Sequence, residues 1–226
     1  AWTPWVNPVP LAGINRLLDA IDLPRGASVA DLGCGKGELM IRLAERADSD
    51  VHAYGVDQCE PLIIEARAQA KMRASGAGLI FEIGEAGDLA ARLPPVDLAA
   101  AIGAHPFGQS WSETLEGLSG LVRKGGLVLG GEGFEVSGSQ PMLSHVGLIE
   151  IARVWGLELV ATAMATPEDC AEYEQHCLAS VLQWCTDNPD HAEAEALRQR
   201  SHIWYDTWQQ TRVVAPGFGL YLFRAR

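Results

Sequence analysis

Asp31-Leu32-Gly33-Cys34-Gly35-Lys36-Gly37-Glu38 sets an acid ahead of three glycines at alternate positions. A short apolar run, Val29-Ala30, precedes it, and an amphipathic segment follows at once. Glycine permits φ > 0 and close approach because it carries no Cβ. The spacing is that of a buried strand turning sharply into a helix while leaving backbone open to a ligand. The helix N-terminus would add unpaired N–H groups and a positive dipole end. A second acid, Asp57, ends the run Val51-His52-Ala53-Tyr54-Gly55-Val56, about twenty positions past Gly37. At the tip of the second strand of an α/β nucleotide site, an acid binds ribose hydroxyls. Its two oxygens can take both hydroxyls at once. The alternative role for Asp57 is to cap a helix ahead of Pro61. The dinucleotide fingerprint needs glycines at its first, third and sixth positions. Here those positions hold Gly33, Gly35 and Glu38, so a nicotinamide dinucleotide is the weaker expectation among nucleotide-type ligands.

Two further residues can do proton chemistry. His105 follows the apolar run 96–102, at the edge where ligands gather in open α/β sheets. Near neutral pH an imidazole there can accept a proton from a nucleophile. As a loop histidine before Pro106 it would only order backbone. Glu132, within Gly130-Gly131-Glu132-Gly133, can orient an amine or hydroxyl, or stand as a solvated turn acid.

The elements that must position these groups alternate. Strands are expected at 29–32, 51–56, 79–83, 96–102, 127–131, 157–164 and 218–223. Helices are expected at 11–21, 38–47, 61–74, 87–93, from Ser110 onward, at 141–155, and as a pair within 166–211 split by Asn188-Pro189. Alternation implies a parallel sheet with right-handed crossovers, and apolar strands imply cover on both faces. Ser110 and Glu113 have capping-box spacing. Lys124-Gly125-Gly126 is expected to break the helix before the fifth strand.

The acid-x-Gly-x-Gly-x-Gly pattern resembles the first motif of the class I S-adenosylmethionine-dependent methyltransferases. Val96-Asp97-Leu98-Ala99-Ala100-Ala101-Ile102-Gly103-Ala104 is similar to their fourth-strand motif, and Val122-Arg123-Lys124-Gly125-Gly126-Leu127-Val128-Leu129 to their fifth, where glycine closes the preceding helix. More narrowly, the Asn7-Pro8 opening, Gly131-Glu132 and the Trp/Tyr-rich C-terminal helices resemble a group of bacterial small-molecule methyltransferases. The resemblance implies a Rossmann-like, doubly wound, seven-stranded, mostly parallel sheet. Its last strand would run antiparallel between strands five and six, after a helical insertion at 166–211. It implies one domain over 1–226, with 1–25 as an N-terminal helical flap. S-adenosyl-L-methionine is the implied cofactor and a small molecule the implied substrate, through an N, O or S nucleophile.

The resemblance also assigns residues. Gly33, Gly35 and Gly37 would bring backbone against the methionine moiety and ribose. Asp31 would bind the amino group, or else hold loop N–H groups. Asp57 would take the ribose hydroxyls, with Gln58 beside the adenine. Glu85, with Asp88 as the alternative, would accept from the adenine amine, and the Ala86 N–H would meet a ring nitrogen. Gly103 and Ala104 would line the thioether side. By their own positions, beside the resemblance, His105, Glu132 and Tyr205 would serve the acceptor, with His105 as general base. Trp111, Trp204 and Trp208 can wall its pocket, although Trp204 and Trp208 have the spacing of a packing stripe. Trp2 and Trp5 can close a flap. The rival expectations are a cofactor-binding protein without transfer activity and, more remotely, an NAD-dependent oxidoreductase.

Composition narrows the partners. Net charge is −12 with a pI near 4.9, and no basic stripe neutralises phosphates, which weighs against nucleic acid and an acidic membrane surface. No apolar run is long enough to span a bilayer. The opening Ala1-Trp2-Thr3-Pro4-Trp5 lacks the basic flank and apolar core of a signal peptide. Five cysteines in no pairing pattern point to reduced thiols and a cytoplasmic setting. Cys170, Tyr173, Cys177, Val181 and Trp184 recur at helical steps, so these cysteines are expected to pack inward rather than bind metal with His176 and Cys185. A homodimer face on the insertion is a further expectation.

Overall fold

The fold is that of a computed structural model, which describes residues 5–47, 50–136, 144–211 and 216–226. The elements run α1 (Leu11–Asp19), β1 (Ala27–Leu32), α2 (Glu38–Arg46), β2 (Val51–Asp57), α3 (Glu60–Arg73), β3 (Gly78–Ile83), α4 (Ala86–Arg92), β4 (Val96–Ile102) and α5 (Trp111–Leu121). Then follow β5 (Val122–Glu135), α6 (His145–Val154), β6 (Leu157–Ala165), α7 (Pro167–Asp187), α8 (Ala194–Thr211) and β7 (Pro216–Ala225). The seven strands form one sheet in the order β3-β2-β1-β4-β5-β7-β6. β1 to β5 pair in parallel, and β7 runs antiparallel to both β5 and β6.

Strand alternation decides which residues reach which face. Val29 and Leu98 meet Ile14, Leu17, Met40, Ile41 and Ile63 on one side. Ala30, Leu32 and Ala99 meet Leu89, Leu115, Leu118, Leu148 and Phe223 on the other. Helices α1, α2 and α3 therefore cover one face, and α4, α5 and α6 the other. The strand order reverses between β1 and β4, which are hydrogen-bonded neighbours. Their carboxyl ends form the crevice where open α/β sheets bind ligands.

Several local expectations change. Ser110 caps α5 by accepting from the Glu113 N–H, but the Glu113 carboxylate accepts from Gln109 N–H and Ser110 Oγ, so the capping box is displaced by one residue. Thr166 and Asp169 form the full box, with the shorter acid, at the start of α7. Lys124-Gly125-Gly126 does not end α5, which stops at Leu121. Gly125 sits at φ +77° inside β5, where the pairing with β4 jumps from Val96↔Val122 to Leu98↔Leu127. On α7, Cys170 and Cys185 are buried while Trp184 is exposed, so the inward face is rotated from the expected one. On α8, Trp208 stacks on Tyr205 rather than lining up with Trp204, which is 45 % exposed. Residues 141–143 of the expected sixth helix lie outside the described residues. No described helix is long and apolar enough to cross a membrane.

Candidate active site

The glycine loop is built from inside. The N–H groups of Gly33 and Cys34 donate to the Val56 carbonyl at 2.9 and 3.0 Å, and Gly37 N–H donates to the Cys34 carbonyl. Gly35 N–H donates to Asp57 Oδ2 at 2.9 Å, and Cys59 N–H to Asp57 Oδ1 at 2.8 Å. The loop is therefore no anion cradle; most of its donors are spent on its own shape. Asp57 holds the loop and turns the chain into α3, and each of its oxygens keeps acceptor capacity for a further donor.

The three glycines differ in purpose. All have positive φ, at +84°, +52° and +70°. A Cβ at Gly33 would strike Ala104 Cβ at 2.7 Å, so this residue lets β1 and β4 close on each other. At Gly35 a Cβ would meet only Val6 at 3.9 Å, which leaves its face clear. At Gly37 a Cβ would lie 2.3 Å from the Phe81 ring, between α2 and β3. Gly37 thus lets α2 pack closely on β3, a role the expectation for it did not include.

Two cavities share Gly33. The smaller, about 50 Å³, is lined by Trp5, Val6, Asn7, Asp31, Gly33, Cys34, Gly35, Lys36 and Ile102, among others. That is room for little more than water. Trp5, packed near the Arg42 guanidinium, and Asn7, which accepts from Val9 N–H, close it from the N-terminal side. Trp2 lies outside the described residues. The larger cavity, about 310 Å³, is lined by Asp57, Gln58, Glu85, Ala86, Ala104 and His105, among others. Gln58 donates its amide to Glu85 at 2.9 Å across this space, and Glu85 rather than Asp88 faces it. Gly103, at φ +64°, turns the chain between Ile102 in the first cavity and Ala104 in the second and lines neither. Tyr205 also lines neither. His105 Nε2 lies 2.7 Å from Glu132 Oε2, a pair that spacing along the chain did not disclose. Lys36, only 4 % exposed in its side chain and 3.7 Å from Glu65, was likewise missed, although it stands between two of the glycines. Among the described residues, no group of three His, Cys, Asp or Glu side chains could hold a metal ion.

The electrostatics are those of a buried acid. Asp31 is 3 % exposed, and burial, helped by the nearby Asp57 charge, pushes its carboxyl up to about 7. Burial and the same two acids hold the Cys34 thiol far above its usual range, so it is inert. Below the ordinary value of 3.8, folded and unfolded chains both keep the Asp31 proton and the acid costs nothing. Between there and about 7 only the unfolded chain ionises, so stability falls as pH rises, and above that the penalty is constant. Asp31→Asn is therefore expected to raise the melting temperature at pH 8, with the gain shrinking toward pH 4. A gain independent of pH would show that the charge is already compensated.

Residues 29–126 match the methyltransferase domain family. The sheet order and similar solved structures give the chain the fold of the class I S-adenosylmethionine-dependent methyltransferases. A methyltransferase of this type from Thiobacillus denitrificans, solved with S-adenosyl-L-homocysteine, superposes with a TM-score of 0.81 at 23% identity, over 99% of this chain and 94% of its own. One from Geobacter sulfurreducens, with the same ligand, does so at 0.81 and 22%, over 97% and 93%. The curated relative nocamycin O-methyltransferase of Saccharothrix syringae is 31% identical over 87 residues, which are 38% of this chain and 31% of that protein's length. The [4+2]-cyclase SpnF shares the architecture at a TM-score of 0.65 and 16% identity, over 94% and 79%.

Proposed function

We propose that the protein transfers a methyl group from S-adenosyl-L-methionine to a small-molecule acceptor. The observation that carries this is the sign of the crevice. Asp31 is a buried carboxyl facing the small cavity with Asp57 behind it, while the N–H groups of Gly33, Cys34, Gly35 and Gly37 are already spent within the loop. A buried acid without a counter-charge is costly until a cation pairs with it. A pyrophosphate would meet repulsion there. Lys36 lines the same cavity but pairs with Glu65 at 3.7 Å, and a ligand carrying an ammonium and a sulfonium would be attracted by Asp31 and Asp57.

Asp31 would hold the amino group, Gly33 and Gly35 would pass the chain of the ligand closely, and Asp57 would accept from the ribose hydroxyls. Gln58, Glu85 and the Ala86 N–H would border the adenine. Bound S-adenosyl-L-methionine supplies an electrophilic methyl carbon. The protein's own share is then to align the nucleophile and exclude water. His105, at the edge of the larger cavity, and Glu132, which lines neither cavity but pairs with His105, would serve the acceptor. The flap 1–25 and the insertion 166–211 complete one domain over 1–226, the insertion shaping the acceptor pocket or a homodimer face. The strong negative charge weighs against nucleic acid and fits a soluble cytoplasmic protein with a small-molecule substrate.

Since fold alone does not determine reaction, and a cyclase shares this one, a second reading is cofactor binding without transfer. Titration calorimetry with S-adenosyl-L-homocysteine, paired with a product assay across phenols, amines, thiols and carboxylic acids, separates them. Binding plus acceptor-dependent product is expected. Binding with no turnover across the panel favours the second reading. Binding of NAD in place of the homocysteine ligand would overturn both.

A further inference from the structure

We propose that the acceptor nucleophile is a hydroxyl, whose proton is taken by Nδ1 of His105 while Glu132 holds the other side of the ring; this rests on methyl transfer as the activity. His105 leaves the end of β4, and Glu132 lies on β5 one residue past the pair Ile102↔Gly131. Neighbouring strands thus aim both side chains at the same carboxyl edge. Glu132 is held at both oxygens. Oε2 lies 2.7 Å from His105 Nε2, and Oε1 accepts from Gly133 N–H at 2.8 Å.

An ionised carboxylate only accepts, so the hydrogen bond requires the ring proton on Nε2. Nδ1 then carries a lone pair. A carboxylate so placed also stabilises the imidazolium once a second proton arrives. This backing is superfluous for two acceptor classes. A thiol ionises near neutral pH by itself, and an uncharged amine attacks through its lone pair before losing a proton. A hydroxyl is a weak nucleophile until its proton leaves. In the balanced step the hydroxyl oxygen forms the O–C bond as the C–S bond breaks, and that pair returns to sulfur. The hydroxyl proton moves to Nδ1 and then to solvent, leaving an ether and a neutral thioether.

The groups around the pair do not compete. Glu113 on α5 has its carboxylate engaged by Gln109 N–H and Ser110 Oγ. Beyond Glu132, the Tyr221 hydroxyl lies over Gly219, the cross-strand partner of Glu132, and 3.3 Å from His145 Nδ1 on α6. Burial lowers the pKa of His145, and burial with the Glu132 charge raises that of Tyr221.

Two measurements test the proposal on protein loaded with S-adenosyl-L-homocysteine or the methyl donor. Long-range proton–nitrogen NMR of the histidine rings is expected to place the His105 proton on Nε2, and Glu132→Ala is expected to lose that preference. Phenol, thiophenol and aniline then serve as matched acceptor probes, with anisole the expected product. His105→Gln should lower anisole formation at least about 100-fold while leaving homocysteine-ligand affinity within about twofold. A proton on Nδ1 overturns the proposal, as does transfer confined to sulfur or nitrogen, or anisole formation indifferent to His105→Gln. With no probe methylated, the ring tautomer decides. Failure of the wild-type protein to bind the homocysteine ligand sinks methyl transfer itself and this proposal with it. A wrong tautomer in a protein that binds sinks this proposal alone.

Discussion

Replacing Asp57 with alanine is expected to weaken S-adenosyl-L-homocysteine binding at least about tenfold, through loss of a charge-assisted pair of acceptors. The same change should cost about 2–4 kcal/mol of stability, because Gly35 N–H and Cys59 N–H both lose a charged acceptor. Relief of the repulsion on Asp31 offsets part of that cost. Asp57→Asn keeps one acceptor oxygen and should fall between the two. Calorimetric titration and urea unfolding of the three proteins check this. Unchanged affinity in a folded Asp57→Ala protein would remove the residue from the ligand site and leave it only a loop-holding role.

Gly37→Ala should be the most damaging of the loop substitutions to folding. Its φ of +70° costs an L-residue about 1–2 kcal/mol. The added methyl would also overlap the Phe81 ring at 2.3 Å, and overpacking adds about 1–3 kcal/mol. Gly35→Ala carries the backbone strain without the clash, since only Val6 is near at 3.9 Å. It should therefore lose less stability and proportionately more ligand affinity. Unfolding midpoints of the two variants, compared with their affinities for the homocysteine ligand, test the division. Equal destabilisation would mean that Phe81 swings aside.

How far the site was legible follows the range of the interactions. The strand–glycine–helix turn at Asp31–Glu38 and the acid at Asp57 are encoded in neighbouring residues, so spacing disclosed them. The breaks at Lys124-Gly125-Gly126 misled because glycine with positive φ serves a strand irregularity as readily as a helix end. The packing role of Gly37 is invisible locally because its partner, Phe81, lies on β3 and no local pattern links them. The His105–Glu132 pair spans 27 residues and depends on β4 and β5 being neighbours. The same holds for Tyr205, whose stacking on Trp208 follows from how α8 is turned, which three-and-four spacing leaves open. The closure of the small cavity by Trp5 and Asn7 joins the start of the chain to the β1 turn. The position of β7 within the sheet rested on resemblance, since periodicity is silent on strand order.

That position bears on assembly during synthesis. β7 is made after β6, α7 and α8, yet it sits between β5 and β6 and carries Tyr221 and Phe223, both fully buried. Until the ribosome has released that stretch, β6 has no hydrogen-bonded neighbour and the apolar edge of β5 stays open to other chains. The parallel half around the ligand crevice can form early, while the other half waits on contacts distant in sequence, which are slow to close. Nascent chains stalled within α8 should thus be prone to clumping even though every residue that borders the two cavities has already been made.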